Sequence, residues 1–332
     1  METKSASLKS ILDQIEKDLG LKVQKLSDAP PLDIETIRSG SFLLDDALGV
    51  PGYPRGRIIE IFGAPSGGKT SLALAAIASA QSLGGTAAFI DVEHAFSRQY
   101  AKDLGVDVDN LYFVQPDYGE QALETMERLI ASNSFDIIVL DSTAALVPKA
   151  EMEEDMEKQS MGLQAKLMSK ACRKITPIIG KTKTVAIFIN QIRQSMSMYG
   201  SPTTTPGGEA LKFYSSVRLS VRKVSGSEIK EGTNILGHKM AINVVKNKVA
   251  PPMRTTELTF LYGKGIDKVS DLIEFALDKG FLEHKGHTYT FEDQKWVGRE
   301  NAAEGIRNNP EIYKAIAQKV IDTTGTKSAA SN

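Results

Sequence analysis

The sequence of 332 residues has almost no cysteine and no excess of charge of either sign. Its one cysteine, Cys172, excludes an intramolecular disulfide and a zinc site built from cysteines. Lys and Arg number 40 against 41 Asp and Glu, so a surface that binds nucleic acid would have to be local. No apolar run approaches the length of a membrane span, and the N-terminus lacks the apolar core of a signal peptide. We therefore expect a cytoplasmic protein without a membrane partner.

The most specific motif in the sequence is a phosphate-binding loop. The pattern G-x-x-x-x-G-K-[ST] is matched by Gly63, Ala64, Pro65, Ser66, Gly67, Gly68, Lys69 and Thr70. Glycines let successive backbone N–H groups converge on phosphate oxygens, and the helix that follows adds its positive dipole end. Lys69 is expected to reach the β- and γ-phosphates, and the Thr70 hydroxyl to ligate Mg²⁺. The loop predicts a site for a nucleoside triphosphate.

Residues 33–262 alternate between apolar runs and helical patterns. Short apolar runs, typical of a sheet covered on both faces, predict strands at 58–62, 86–92, 136–141 and 185–190. Between them, helical patterns cover 70–82, 119–131 and 160–180, the last interrupted near Pro177. Three more strands, at 217–224, 239–246 and 254–261, have turn signals typical of antiparallel hairpins. The fold class is therefore α/β, with a mainly parallel sheet and a mixed edge.

Smaller units flank this core on both sides. An amphipathic helix at 5–19 and a short strand at 21–26 form an N-terminal arm, residues 1–32. Such an arm must pack either on its own core or on a neighbouring subunit, and the sequence leaves both open. The core is expected at 33–264 and an α+β unit at 265–322, with helices at 268–279, 300–307 and 310–322 and a hairpin at 284–287. Residues 323–332 are Ser/Thr/Ala/Gly-rich and are expected to be disordered.

Chemically useful side chains follow the ends of the predicted strands, where ligands bind in open α/β sheets. Asp141 ends an apolar strand and can hold Mg²⁺, and Glu93 follows the neighbouring strand and can activate water. Gln191 follows a third strand and can contact a γ-phosphate. Two irregular segments, about 149–161 and 191–208, would leave the sheet on the same side, and both are long enough to be functional loops.

Several longer motifs together resemble the RecA recombinases of bacteria and phages, from the N-terminal helix to about residue 320. They are the phosphate loop, FIDVEHAF (89–96), GEQALE (119–124), IIVLDSTAALVPKAEME (137–153), MGLQAKLMSKACRK (161–174), FINQIR (188–193), GGEALKFYSSVRL (207–219), VVKNKVAPP (244–252) and YGKGI (262–266). The resemblance implies a RecA-type NTPase core and a helical filament on single-stranded DNA. It implies DNA-stimulated ATP hydrolysis, strand exchange with homologous duplex, and, in a bacterium, activation of SOS-repressor self-cleavage. A self-cleaving repressor and loader proteins are further implied partners.

The same resemblance implies a role for individual residues of the nucleotide site. Glu93 would be the base that activates water, Asp141 the acid that supports Mg²⁺, and Gln191 the sensor of the γ-phosphate. Tyr100 would stack on adenine, with Ser71 and Tyr262 in the same nucleotide site. ATP in this family lies between protomers, so Lys246 and Lys248 would reach the neighbour's γ-phosphate, and Phe213 and the N-terminal arm would lie in the interface.

The two irregular segments correspond to the DNA-binding loops of the family. The residues that would line the DNA are Met161, Gly162, Lys166, Arg173, Arg193, Met196, Gly207 and Gly208. Backbone amides, glycines and cations hold phosphates without reading bases, as homology recognition by base pairing requires. The C-terminal α+β unit would contact duplex DNA.

The sequence also departs from the family at several positions. The loop middle is Ala64-Pro65-Ser66-Gly67 instead of the usual Pro-Glu-Ser-Ser, Lys166 replaces Arg, and Ser97 replaces Asp. The second DNA loop is one residue short, and the tail is neutral instead of acidic.

Three alternative functions share the same kind of core. A hexameric motor would need an arginine finger in place of the lysines of VVKNK, and the sequence has no arginine there. A scaffold that binds ATP without turnover is disfavoured by Lys69 and Glu93. A small-molecule kinase would need a lid and an acceptor pocket, and no segment of the sequence indicates either.

Overall fold

The computed structural model describes residues 2–28, 34–153, 162–194 and 203–326. Two compact units divide the chain, residues 1–33 and residues 34–332.

The first unit consists of one helix and a short irregular segment. Helix α1 (Glu2–Leu19) begins three residues before the predicted start and ends at the predicted residue. The predicted strand at 21–26 is wrong, because residues 21–25 have no regular structure and Leu26–Asp28 is a single 3₁₀ turn. A strand needs a ladder partner, and the described part of this unit contains only a helix.

The second unit alternates strands and helices through most of its length. Its described residues form sixteen strands: β1 (Thr36–Ile37), β2 (Tyr53–Pro54), β3 (Arg57–Gly63), β4 (Ala87–Asp91), β5 (Leu111–Val114), β6 (Ile137–Asp141), β7 (Val185–Gln191), β8 (Arg193–Gln194), β9 (Thr203–Thr204), β10 (Val217–Glu231), β11 (Asn234–Asn247), β12 (Thr255–Leu261), β13 (Gly265–Ile266), β14 (Glu283–Lys285), β15 (Thr288–Phe291) and β16 (Gln294–Val297). They also form ten helices: α2 (Phe42–Leu48), α3 (Lys69–Ser82), α4 (Arg98–Asp103), α5 (Gly119–Ala131), α6 (Lys149–Met152), α7 (Leu163–Thr182), α8 (Ala210–Tyr214), α9 (Lys268–Asp278), α10 (Arg299–Arg307) and α11 (Pro310–Thr326).

Nine strands form the main sheet, in the order β13-β12-β11-β10-β3-β7-β6-β4-β5. The six from β10 to β5 run parallel, and β11, β12 and β13 add an antiparallel edge. This confirms the predicted α/β class, with a mainly parallel sheet and a mixed edge. Because β3 lies between two parallel neighbours, the loop that leaves its carboxyl end is surrounded by other strand ends.

Helices cover both faces of this sheet. Along β3, Ile59 and Ile61 belong to one buried core together with α3, whereas Ile58 belongs to a second core with α5 and α7. Such strands are apolar on both faces, which is why they were visible in the sequence as continuous apolar runs.

Helix α7 is continuous through Pro177, contrary to the interruption expected there. Pro177 is exposed, so water can satisfy the carbonyl that loses its N–H donor. Ile175 and Ile179 lie on either side of the proline and are buried in the second core, so packing maintains the helix across it.

The residues from α9 onward form an α+β assembly. Strands β14, β15 and β16 make a three-stranded antiparallel sheet, and a third apolar core packs it against α9, α10 and α11. Helix α11 continues to Thr326, four residues beyond the expected end of the helix, and residues 327–332 lie outside the described residues. No helix in the described ranges is long and apolar enough to cross a membrane.

Candidate nucleotide site

The phosphate loop runs from the end of β3 to the start of α3, and its glycines are dictated by close neighbours. A Cβ on Gly63 would lie 2.0 Å from the Val221 carbonyl oxygen of the adjacent strand. Gly68 has φ 89°, and a Cβ there would lie 2.8 Å from the Met240 sulfur. Close approach of the adjacent strand therefore requires glycine at 63, and the positive φ requires it at 68, in addition to any requirement of a bound phosphate.

Lys69 and Thr70 are the first two residues of α3, and their side chains have different hydrogen-bond partners. The Lys69 ammonium is almost buried and donates to the Ala64 carbonyl oxygen at 2.7 Å, folding back over its own loop. Burial lowers the pKa of Lys69, while the Asp141 and Glu93 carboxylates oppose that shift. Thr70 Oγ1 donates to Asp141 Oδ2 at 2.6 Å, which joins the loop to the end of β6.

Asp141 and Thr70 are a suitable pair for a hard divalent cation. Burial, opposed by the Thr70 hydrogen bond, raises the pKa of Asp141 to about 6, so its negative charge is poorly compensated. Oxygen ligands of this kind suit Mg²⁺. The described residues contain no cluster of three or more His, Cys, Asp or Glu side chains that could hold a metal alone. A cation here would need phosphate oxygens or water as further ligands.

Glu93 and Gln191, two of the predicted catalytic residues, are in direct contact. Gln191 Nε2 donates to Glu93 Oε1 at 2.7 Å, and Ser142 Oγ donates to the same oxygen at 2.5 Å. Ser142 was not predicted, although its position directly after Asp141 at a strand end was a usable signal. Two hydrogen-bond donors therefore hold the Glu93 carboxylate in place.

The segment that carries Glu93 is fixed by Asp91, the last residue of β4. Its carboxylate accepts hydrogen bonds from Ala95 N at 3.3 Å, from Phe96 N at 3.1 Å and from Gln115 Nε2 at 3.0 Å. Asp91 is thus a buried structural carboxylate that shapes the turn after β4, a role that the sequence did not reveal.

Tyr100 and Ser71 meet beside the loop, where the resemblance placed the adenine. The two hydroxyl oxygens lie 2.6 Å apart. Burial raises the pKa of Tyr100. A cavity of about 110 Å³ lies between Tyr100 and the carboxylates of Glu93 and Asp141, and its lining also includes Thr70 and Ser97.

Tyr262, the other tyrosine predicted for this site, lies just beyond β12. Its ring is half-exposed and lies 5.5 Å from the ring of His238, which lies 5.3 Å from the Phe260 ring. The Phe260 ring in turn lies 3.4 Å from the position of a Cβ on Gly68. His238 is buried, and neither ring nitrogen has a hydrogen-bond partner within the described ranges.

Lys246 near the end of β11 and Lys248 just after that strand contact the C-terminal end of α8. Within the part of the chain described, neither makes a hydrogen bond to the phosphate loop. Lys246 Nζ donates to the Lys212 and Phe213 carbonyl oxygens at 2.6 and 2.9 Å, and Lys248 Nζ lies 3.5 Å from the Phe213 oxygen. Burial lowers the pKa of Lys246, and the charges of Lys248 and Arg218 add to this. Phe213 itself is 70% exposed.

The predicted DNA-lining residues that the structure describes gather around α7. Gly162 caps its N-terminus, and Lys166 and Arg173 are exposed on it, about two turns apart. Gly207 and Gly208 have positive φ, and a Cβ on either would contact Met168 or Ala165 of α7.

The remaining predicted DNA residues lie in or near the parts that the structure leaves out. Arg193 is exposed and pairs with Thr204 in a short antiparallel ladder at the base of the second segment. Met161 and Met196 lie outside the described residues, as do residues 154–161 of the first irregular segment and 195–202 of the second.

A phosphate loop after the central strand, with carboxylates at the ends of adjacent strands, defines a P-loop NTPase core. The family model of the RecA N-terminal domain matches residues 6–267. The chain is 52% identical to Protein RecA of Thermus aquaticus over 324 residues, covering 97% of this chain and 95% of that protein. It is 49% identical to Protein RecA of Lactiplantibacillus pentosus, covering 98% and 86%, and 49% identical to that of Bacillus subtilis, covering 98% and 94%.

The fold also resembles that of a solved recombinase structure. The crystal structure of the RadB recombinase superposes with a TM-score of 0.53 at 18% identity, covering 70% of this chain and 98% of that one. The chain belongs to the RecA family. It is an ATP-dependent DNA recombination and repair protein and a DNA-dependent ATPase, which binds DNA and associates with itself.

Proposed function

We propose that this protein forms a helical filament on single-stranded DNA, pairs it with homologous duplex and catalyses strand exchange. ATP hydrolysed between protomers would control the lifetime of that filament. The observation that carries this proposal is the contact between Gln191 and Glu93. It connects the candidate nucleotide site directly to the start of the segment 191–208.

Within one protomer, the loop residues would hold the triphosphate. Backbone N–H groups of residues 63–70 and the dipole of α3 would cradle its oxygens, and Lys69 would exchange the Ala64 carbonyl for the β- and γ-phosphates. Thr70 and Asp141 would hold Mg²⁺, which neutralises phosphate charge when bound. Tyr100 and Ser71 would take the adenine side, with Tyr262 closing the site from the β12 side.

Glu93 would take a proton from the attacking water. In the geometry described, its Oε1 accepts hydrogen bonds from Gln191 and Ser142, so this oxygen is already occupied. If the Gln191 amide turns to a γ-phosphate, Glu93 loses one of these donors and becomes available for water. The same movement would pull on the segment 191–208, so ATP state and DNA contact would change together.

The second half of the site would come from a neighbouring protomer. Lys246 and Lys248 would leave carbonyl partners at the end of α8 and face the neighbour's γ-phosphate, and exposed Phe213 would lie in the same interface. Two cations placed beside the negative charge that develops on the phosphate in the transition state can raise the rate of hydrolysis by several orders of magnitude. Hydrolysis would then depend on assembly.

The N-terminal arm would provide a second contact between protomers. Leu8 and Ile11 of α1, and Leu21 and Val23 after it, are all at least half-exposed. The sheet ends at β5, whose Tyr112 and Phe113 are 60% and 45% exposed. An open strand edge beside exposed aromatic side chains favours addition of an extended segment from another copy.

DNA would lie along the side of α7 formed by Gly162, Lys166 and Arg173, with Arg193, Gly207 and Gly208 from the second loop and Met161 and Met196 completing the contact. The α+β assembly from about residue 265 would contact the duplex. We further propose a cytoplasmic location, loader proteins as partners and, in a bacterial host, activation of a self-cleaving SOS repressor.

ATP hydrolysis with and without single-stranded DNA, followed by strand exchange between homologous DNAs, tests this proposal. We expect DNA to stimulate hydrolysis and homologous strands to exchange only with ATP present. Hydrolysis that DNA stimulates without any exchange of homologous strands would refute the recombinase function. A duplex of unrelated sequence is the matched control for exchange.

A further inference from the structure

A buried carboxylate in β3 plays no part in the chemistry described above. Glu60 is fully buried, three residues before the phosphate loop. Its Oε2 accepts a hydrogen bond from Arg218 Nε at 2.5 Å, and its Oε1 accepts one from Asn190 Nδ2 at 3.1 Å. A buried carboxylate costs free energy unless it is paired and hydrogen-bonded, and Glu60 has both kinds of partner.

Glu60 is the middle of a polar row that crosses four strands on one face of the sheet. Register pairs Lys246 of β11 with Arg218 of β10, and Arg218 with Glu60 of β3. Asn190 of β7 completes the row through its hydrogen bond to Glu60. The order is therefore cation, cation, carboxylate, amide, and we call these four residues the Glu60 row.

One end of the Glu60 row touches the second DNA loop and the γ-phosphate sensor. Asn190 is buried, and its Nδ2 also donates to the Pro206 carbonyl oxygen at 3.2 Å, directly before Gly207. Its Oδ1 accepts from Gln191 N at 2.9 Å. Asn190 thus holds both ends of the segment 191–208 against β3.

The other end of the row sets the position of a cross-protomer lysine. The Arg218 guanidinium lies over the Phe62 ring at 4.6 Å and is mostly buried, so its direction is fixed. It lies beside Lys246, whose ammonium is held at the end of α8. Glu60 neutralises Arg218, and without that carboxylate two neighbouring cations would repel each other in a partly desolvated place.

We propose that Glu60 is a positioning residue of the DNA-stimulated ATPase, and that it couples the second DNA loop to Lys246 through Asn190 and Arg218. A displacement of the loop moves Asn190, which alters the hydrogen bonding of Glu60 and hence the direction of Arg218 and Lys246. This inference rests on the proposed roles of Lys246 and of the segment 191–208.

The test compares Glu60→Gln with Asp45→Asn, which removes another buried, arginine-paired carboxylate, located in α2. We expect Glu60→Gln to reduce the stimulation of ATP hydrolysis by single-stranded DNA on the order of tenfold, the usual size of such couplings. Affinity for a non-hydrolysable ATP analogue, measured without DNA, should stay within about twofold, because the analogue contacts only the loop half of the site. Asp45→Asn should retain the stimulation.

A second variant tests the charge argument. Glu60→Gln with Arg218→Met removes both charges, so Lys246 no longer faces an uncompensated cation, and part of the DNA stimulation should return. A double variant no more active than Glu60→Gln would overturn the role of charge. Full DNA stimulation in Glu60→Gln, or an equal loss in Asp45→Asn, would overturn the proposal.

If Glu60→Gln does not fold, Asn190→Ala replaces it, because that change leaves the Glu60–Arg218 pair intact and removes the hydrogen bonds that join Glu60 and Gln191 to Asn190 and Asn190 to Pro206. It should lose DNA stimulation to a similar degree, and full stimulation would contradict the coupling. The proposed function fails separately: if the wild-type protein itself shows no exchange of homologous strands, the recombinase proposal is wrong, whereas a normal wild type with an unaffected Glu60→Gln rejects this inference alone.

Discussion

Two groups of lysines serve the candidate ATPase site, and the chain holds them very differently. Lys69 is 7% exposed, folded over its own loop and flanked by the carboxylates of Asp141 and Glu93. Lys246 and Lys248 contact backbone carbonyls at the end of a short helix, and in the described part of the chain neither has a hydrogen bond to a carboxylate. The loop half of the site is therefore organised within one protomer, whereas we propose that the lysine half acquires a phosphate partner only through assembly.

In the proposed arrangement, this difference would let assembly on DNA control hydrolysis. A site organised within one chain would hydrolyse ATP in free protomers, whereas a divided site is active only where two protomers meet. Cations held by weak carbonyl contacts can be redirected at little cost, because a neutral acceptor binds an ammonium less strongly than a phosphate does.

The largest expected effect comes from removing the lysine half. Lys248→Ala should lower DNA-stimulated ATP hydrolysis about a thousandfold, because a cation that stabilises the transition-state phosphate is lost. Binding of a non-hydrolysable ATP analogue without DNA should be unchanged. Lys239→Ala, at an exposed lysine of β11, the strand that ends directly before Lys248, is the control and should hydrolyse ATP normally.

Mixing two inactive variants then tests whether the halves belong to different protomers. In equal mixtures of Lys248→Ala and Glu93→Gln, about a quarter of random interfaces combine an intact Glu93 with an intact Lys248. We expect activity to return to roughly that fraction of wild type. No recovery in mixed filaments would show that both halves act within one chain.

Removing the base of the loop half should have the next largest effect. Glu93→Gln is expected to slow hydrolysis about a hundredfold or more, since general-base catalysis contributes at least that much. ATP-dependent assembly on DNA should persist, because the amide keeps its size and its contacts. Glu124→Gln, an exposed carboxylate on α5, should behave as wild type, and a Glu93→Gln protein with normal turnover would exclude Glu93 as the base.

A buried carboxylate outside the site gives a smaller effect with a defined pH dependence. Asp271 of α9 accepts hydrogen bonds from Ser41 Oγ at 2.5 Å and from Phe42 N at 2.6 Å, joining the C-terminal assembly to α2. Burial raises the pKa of Asp271 to about 7. The folded protein therefore holds this proton more tightly than the unfolded chain, and this contribution to stability is lost as pH rises towards and through 7.

Urea unfolding of the wild type and of Asp271→Asn at pH 5 and pH 8 measures this contribution. From pH 5 to pH 8, the free energy of unfolding of the wild type should fall by about 2 kcal/mol more than that of the variant, because only the wild type has a carboxyl group that must ionise while buried. Equal pH dependence in both proteins would show that Asp271 is ionised throughout or never ionised.

The smallest expected effect concerns the DNA side of α7. Lys166→Arg should tighten binding to single-stranded DNA about threefold, because a guanidinium can contact phosphate through two donors. Fluorescence anisotropy should show an unchanged salt dependence, since the charge is the same. Lys170→Arg on the same helix is the control, and an equal gain there would mean that the effect is not specific to position 166.

Predictions from the sequence were most accurate where the signal was continuous along the chain. Strands β3, β4, β6 and β7 were predicted to within one residue at each end, because they are apolar on both faces and bounded by turn residues, whereas β10 and β11 extend several residues beyond their predicted ranges. The strand at 21–26 was wrong for a different reason: a short segment can look like a strand in the sequence, but a strand also needs a partner with which to pair.

The residues that hold the site in place could not be predicted in this way. Asn190 lies 130 positions from Glu60, and Arg218 lies 158 positions from it, and no local pattern announces that they meet. Ser142, which touches Glu93, lies within the motif at 137–153 and directly after a predicted residue, but nothing in the motif shows that it meets Glu93. Such contacts depend on which strands become neighbours and in which register.

The sequence by itself determined the chemistry of this protein: a loop whose spacing suits phosphates, an acid at the end of an apolar strand, and motifs specific enough to indicate the RecA family. Local patterns suffice for that, because each motif acts through residues close together in the chain. Only the tertiary structure decided how the parts are connected. It brought Gln191 onto Glu93, placed Lys246 and Lys248 against the end of α8, and put the buried Glu60 between Asn190 and Arg218, because strand order and register decide which distant residues meet.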